Sequence, residues 1–214
     1  MKKRIVIGVI IAFLIGGGAV YFLTKSDKKD NSETKANSNS SQSSSGSDFA
    51  PVSTKGLDFT ATITSTGASG ESTAKIEQDG DKTRYVATAD GQETQVIYTS
   101  DAYYTCTNGQ CYKFAKTQSA NSGVDVGSYE YDESEIANFR NTAAYKGKQD
   151  CPAGTCDVWS VTTAEETSTL YIDSKTKRIS QVEGTNAGVT SKIVYDYKDV
   201  TIDVPQNAQT LQTP

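Results

Sequence analysis

Leu170-Tyr-Ile-Asp-Ser-Lys-Thr-Lys-Arg-Ile179, followed by Ile193-Val-Tyr-Asp-Tyr-Lys-Asp-Val-Thr-Ile-Asp-Val-Pro205, decides the fold class. Leu170 and Ile172, and again Ile193, Tyr195 and Tyr197, alternate with polar residues, the period-2 pattern of strands with one buried and one wet face. The polar run Asp173 to Lys177 is the turn between strands, where short polar side chains bond to nearby backbone. The stretch therefore reads as a strand, a turn and two more strands that close on Pro205.

The rest of residues 55–214 follows the same pattern. Leu57, Phe59, Ala61 and Ile63 alternate with Asp58, Thr60, Thr62 and Thr64, a half-buried strand whose threonines suit the solvated face. Further strands are expected near 72–78, 82–88, 93–99, 102–107, 111–116, 143–150 and 156–163. Asp79-Gly80, Asp90-Gly91 and Asn108-Gly109 fall between consecutive segments, and such dipeptides suit two-residue hairpin turns. Asp132-Glu-Ser-Glu135 reads as a capping box before Ile136 and Phe139 at helical spacing, so one helix is expected from Asp132 to about Asn141, packed across the sheet. An ordinary β-sandwich would show the same strand spacing.

The order "Ile-Asp, Lys-Thr turn, Arg-Ile strand, then Tyr-x-Tyr-x-Asp-Val-x-Ile-x-Val-Pro" resembles the C-terminal half of the LolA/LppX lipoprotein-carrier superfamily. The resemblance is clearest over 155–205 and, over 55–115, is a matter of strand spacing. It implies a mainly β (α+β) fold: a curved antiparallel sheet forming a half-open barrel with one or a few short helices, enclosing an apolar cavity for lipid or lipoprotein acyl chains. The candidates for the cavity wall are the apolar strand positions Phe59, Ile63, Ile76, Tyr98, Trp159, Leu170, Ile172, Ile193 and Tyr195. The expected partner is then a lipid or an acylated protein. The competing reading is a cell-envelope interaction or sensor module whose interior is filled by its own side chains.

Residues 1–4 are a basic flank, and the uncharged apolar run from Ile5 to Leu23 is close to the ~20 residues that cross a ~30 Å hydrocarbon core. A single transmembrane anchor over 5–23 is expected. Gly16 to Ala19 could serve as a signal-peptide cleavage site, but Val20-Tyr-Phe-Leu23 continues the apolar run. A lipobox needs a cysteine just after the run, and the first is Cys106, so the chain departs from lipidated relatives of that family. The flank charge places the C-terminal domain on the extracytoplasmic side of a bacterial cell membrane. Residues 24–54, rich in Ser and Asn, read as a disordered tether, and ~25 such residues reach ~25–30 Å on average. A stalk spanning a cell wall would look the same.

Charge and cysteine usage narrow the function. Residues 1–45 carry seven Lys+Arg against three Asp+Glu, a net +4, whereas 46–214 carry 14 against 23, a net −9. Nucleic acid and anionic headgroups are poor partners for that acidic domain. Cys106-Thr-Asn-Gly-Gln-Cys111 sets its cysteines across an Asn-Gly turn as a non-hydrogen-bonded pair, close enough for a disulfide. Cys151-Pro-Ala-Gly-Thr-Cys156 repeats the spacing, so bridges 106–111 and 151–156 are expected, in keeping with an oxidising compartment. Structural zinc pairs usually have two to four intervening residues, so four falls at the limit in a chain without histidine, and redox pairs are typically Cys-x-x-Cys, so both fit less well.

The chain contains no histidine, which removes Ser-His and Cys-His nucleophile activation and histidine metal sites. Glu165-Glu166 and Asp132-Glu133 read as solvated charges, and no Asp-x-Asp-x-Asp-Gly loop is present for calcium. No catalytic residue, metal site or cofactor is expected. Twelve tyrosines, eleven of them after residue 23, could line a cavity or build a binding face, but ordinary half-buried strand positions explain most of them more plainly. Trp159 reads more as core than as ligand contact.

Overall fold

The computed structural model describes residues 48–68, 70–89, 91–115, 129–162, 167–186 and 188–210. The apolar run 5–23 and most of the tether lie outside the described residues. Among the described residues, no helix is long and apolar enough to cross a membrane.

Two antiparallel meanders form one sheet. The first comprises β1 (Phe59–Gly67), β2 (Gly70–Asp79), β3 (Lys82–Ala89), β4 (Gln92–Tyr98), β5 (Ala102–Thr107) and β6 (Gln110–Ala115). After α1 (Glu133–Arg140) come β7 (Ala144–Cys151), β8 (Gly154–Thr162), β9 (Thr167–Asp173), β10 (Ile179–Asn186) and β11 (Val189–Asp196), and β12 (Gln209–Thr210) ends the order. The strands lie as β12-β6-β5-β4-β3-β2-β1-β11-β10-β9-β8-β7, so β1 and β11 join the meanders and the ends do not meet. A single unclosed sheet replaces the sandwich alternative.

Local chemistry explains the hairpins and the helix start. Asn108 and Gly109 take φ of 52° and 78°, the double left-handed turn an Asn-Gly pair favours, and this sets Thr107 opposite Gln110. Asp132 Oδ1 accepts the Ser134 and Glu135 amides at 2.8 and 3.0 Å while Glu135 accepts the Asp132 amide, the expected capping box. Ile136 and Phe139 turn their side chains onto the sheet.

The two bridges join Cys106 to Cys111 and Cys151 to Cys156. Their geometry differs. Cys106 pairs directly with Cys111 across the hairpin, Cα atoms 4.1 Å apart. Cys151 instead pairs with Gly154, and Cys156 with Gln149, so the second bridge runs diagonally over 5.9 Å. Loops this short remove little entropy from the unfolded chain, so Cys111→Ser or Cys151→Ser should each cost about 2 kcal/mol or less, read by urea denaturation. A larger loss would show that the bridge holds native geometry the ladder alone cannot.

Two expectations fail at the margins. Residues 199–205 do not form a strand. Alternation across Val200, Ile202 and Val204 is real, but those side chains pack on the outer face against Ile97, Ala102 and Tyr104, and the backbone bonds to side chains. Ile202 donates its amide to Asp79 Oδ2 at 3.0 Å, and Lys82 donates to the same oxygen at 3.1 Å. β12 then joins β6 in parallel. The second failure is the tether boundary. Phe49 to Thr54, which composition assigns to the linker, belong to the folded unit: Phe49 is fully buried, and Tyr131 donates its amide to Thr54 Oγ1 at 2.8 Å.

The tail carries a pH prediction. The Ile202 amide, and then Lys82, hold the Asp79 carboxyl below its ordinary value of 3.8. A depressed folded value means the contribution is complete above about pH 4 and is lost as pH falls through the folded value. Amide exchange at Ile202, corrected for intrinsic rate, should accelerate only on that acid side, and Asp79→Ala should produce the same loosening at pH 7.

Candidate functional site

Residues paired across a ladder share a face, so the register sorts every side chain. Phe59, Ala61 and Ile63 of β1 stand with Ile76 and Ala74 of β2, and on the other side with Ile193 and Tyr195 of β11. Val182 of β10, Leu170 and Ile172 of β9, and Trp159 of β8 complete the row. This inner face receives α1. Tyr85, Val96, Tyr98, Tyr103, Tyr112 and Phe114 extend it across β3 to β6.

All nine expected cavity residues therefore lie on one face. Phe59, Ile63, Ile76, Trp159, Leu170, Ile172, Ile193 and Tyr195 belong to a single buried cluster closed by Phe49, Tyr129, Tyr131, Ile136 and Phe139. Phe49 and Tyr145 meet the Trp159 ring at centroid distances of 5.4 and 5.0 Å, and Tyr131 meets Tyr195 at 6.1 Å. Burial pushes the Tyr195 hydroxyl well above its ordinary value, and Tyr197 likewise, so both are neutral hydrogen-bonding groups rather than acids or bases. Tyr195 donates toward Tyr131 at 3.5 Å and Tyr197 to the Ile179 carbonyl at 2.8 Å.

Tyr98 stands apart from those eight. It is half-buried and stacks on Tyr103 at 6.0 Å, and Tyr103 stacks on Phe114 at 4.7 Å with planes 7° apart. The inner positions of β3 to β6 are Thr, Tyr, Ala, Gln, Val and Phe without one charge, while Lys82, Arg84, Glu93 and Lys113 all fall on the outer face. Tyr85, Val96, Tyr103, Tyr112 and Phe114 were not singled out from sequence. The signal was there: the Asn108-Gly109 turn fixes Thr107 opposite Gln110, which forces Tyr103 opposite Phe114 and Thr105 opposite Tyr112.

Two grooves, both on the outer face, flank the C-terminal tail. One of about 430 Å³ is lined by Thr60, Thr62, Lys75, Glu77, Asp196 and Lys198 among others. The second, about 320 Å³, runs beside Cys106, Cys111 and Asp203 to Pro205. In the first, burial pushes Glu77 up, but bonds from Arg84 and Lys75 outweigh it and hold the carboxyl below its usual value. Its charges are thus already satisfied. Among the described residues no group of three or more acidic or thiol side chains could hold a metal ion.

No family model matches the chain, and no curated protein matches it. Solved structures do. Lipoprotein LppX of Mycobacterium tuberculosis superposes with a TM-score of 0.50 at 12% identity, over 70% of this chain and 92% of that one. The fold is LppX-like. LprF of Mycobacterium bovis follows at TM-score 0.48 and 13% identity, over 72% of this chain and 91% of that one. An uncharacterised conserved protein from Thermus thermophilus gives 0.44 at 13%, over 73% and 91%.

Proposed function

We propose that this chain is a membrane-anchored, extracytoplasmic domain that holds a hydrophobic ligand, a lipid or a lipoprotein acyl chain, without chemical turnover. One observation carries the reading. Among the described residues, the inner face continues past those that cover it as a charge-free, half-buried aromatic surface over β3 to β6, with Tyr98, Tyr103 and Phe114 stacked at its centre. An acyl chain laid there meets ring faces and methyls and leaves no ion desolvated. Of the nine sequence-derived positions, Tyr98 belongs to this contact surface, and the other eight form its floor and anchor. The apolar run 5–23, acting as the membrane anchor, and the tether would keep the domain at the membrane's outer surface.

Residues 46–214, which include every described residue and both bridges, should take up a fluorescent phospholipid or fatty-acid probe with micromolar affinity or better, about −8 kcal/mol. If the folded domain takes up no probe, and native mass spectrometry of membrane-extracted protein finds no co-purified lipid, the proposal fails. The interaction-module reading then stands, favoured by one observation: eight of the nine expected cavity residues are covered by the chain's own side chains.

A further inference from the structure

We infer that Phe49 is an internal occupant of a second apolar pocket on the inner face, over Trp159 and its neighbours on β9 and β10, and that an acyl chain entering from the aromatic half takes its place. The inference rests on the hydrophobic-ligand reading above and adds where the far end of the ligand goes.

The route carries no charge. Every inner position in register from β3 through β2, β1, β11, β10 and β9 is uncharged. The first charges are Asp157 and Lys148 at the β8–β7 edge, paired with each other at 3.0 Å. An alkyl chain passing between the sheet and the residues that cover it, Tyr129, Tyr131, Ile136 and Phe139, meets methyls, rings, hydroxyls and the Gln78 carboxamide, and no ion.

The occupant is not part of the sheet. Phe49 belongs to none of the strands; its ring lies edge-on to Trp159, and its carbonyl accepts from Arg140 Nε at 3.2 Å. Val52 donates its amide to the Lys177 carbonyl at 2.9 Å. Arg140 and Lys177 are exposed residues, so water replaces both bonds when the segment leaves and no polar group is orphaned in the interior. Ser53 and Thr54 are pinned to Tyr131, by Ser53 Oγ donating to its carbonyl and by the paired Thr54 bonds. The moving piece is therefore 48–52, hinged at Ser53 and continuous with the tether.

A phenyl ring against an indole marks the place as fit for an apolar, uncharged group, and the vacated volume suits the end of an alkyl chain. Residues 48–52 thus regulate the pocket: a ligand long enough to reach Trp159 expels Phe49, and a shorter one leaves it seated.

The test uses the full chain in phosphatidylcholine nanodiscs containing a minor fraction of phosphatidylcholine with a diazirine at the end of one acyl chain. Labelled peptides are mapped by mass spectrometry after irradiation. Wild type should be labelled between Tyr98 and Phe114 and, in the fraction whose Phe49 is expelled, between Trp159 and Ile179; Phe49→Ala, with no ring to expel, should gain at least tenfold labelling between Trp159 and Ile179. Phe49→Leu, which refills the pocket, should return toward the wild-type pattern. A Phe49→Ala chain with both disulfides intact and native circular dichroism but no gain overturns the inference and leaves the aromatic-half site standing. Absence of labelling on both segments in every variant sinks the ligand reading itself. If Phe49→Ala does not fold, the Val52 amide of wild type decides: faster exchange on adding the acyl probe supports expulsion, and unchanged exchange with probe bound overturns it.

Discussion

Ile193→Asp unfolds the domain rather than merely closing a binding site. Ile193 stands at the junction of the two meanders, opposite Ile63 on β1 and Val182 on β10, and is buried to 5% exposure within the main cluster. Truncating such a side chain costs roughly 2–5 kcal/mol. A carboxylate there adds the desolvation of a charge with no cation in the surrounding cluster, several kcal/mol more even if it takes up a proton. The sum rivals the ~5–15 kcal/mol by which domains are stable. Val194→Asp, one residue on, is the control. Its side chain points to the outer face and lines the groove beside Lys75 and Lys198, so it should shift the urea midpoint little. Equal midpoints for the two variants would mean the register across β1–β11 is off by one.

The hairpins β2–β3, β3–β4 and β5–β6 are legible because a turn dipeptide reinforces alternation, whereas β7 to β11 rest on alternation and polar turns alone. Asn108-Gly109 fixed not only a hairpin but the register of Cys106 with Cys111, and Asp132 with Glu135 fixed the helix start within a residue. What alternation states is which face of an extended chain is apolar. It does not state what covers that face. Val200, Ile202 and Val204 alternate as a strand would, yet the covering partner is the outer face of β4 and β5, and Asp79 rather than a neighbouring ladder takes the Ile202 amide. Phe49 escaped for the converse reason: one aromatic after a serine-rich run has no period to read, and only the three-dimensional gap beside Trp159 gives it a place. The nine candidate positions shared a face because each lay on the apolar phase of its own strand. Whether that face is wall or filled core depends on α1, Tyr131 and Phe49, which approach from elsewhere in the chain.

Phe114→Ala separates ligand holding from folding, because the residue is half-buried on the aromatic half and lies outside the main cluster. Its ring stacks on Tyr103, and in the ligand-bound state both rings lose their remaining contact with water. Full burial of a Phe side chain is worth about 1.5–3 kcal/mol and less than half of that remains to be gained at a half-buried ring, so its loss should weaken acyl-probe affinity roughly 2- to 10-fold. Tyr103→Ala removes the ring between Tyr98 and Phe114 and should weaken binding at least as much, since it breaks both stacks. Tyr104→Ala is the discriminating partner. Tyr104 is on the same strand but the outer face, buried under Ile202 of the tail with Lys113 over its ring, so its loss should lower stability while the folded fraction keeps its affinity. Affinity measured by probe fluorescence, alongside stability from urea denaturation, places the three variants on separate axes. If Phe114→Ala and Tyr103→Ala bind as wild type while Tyr104→Ala does not, the ligand lies against the outer face, and the groove beside the tail becomes the site.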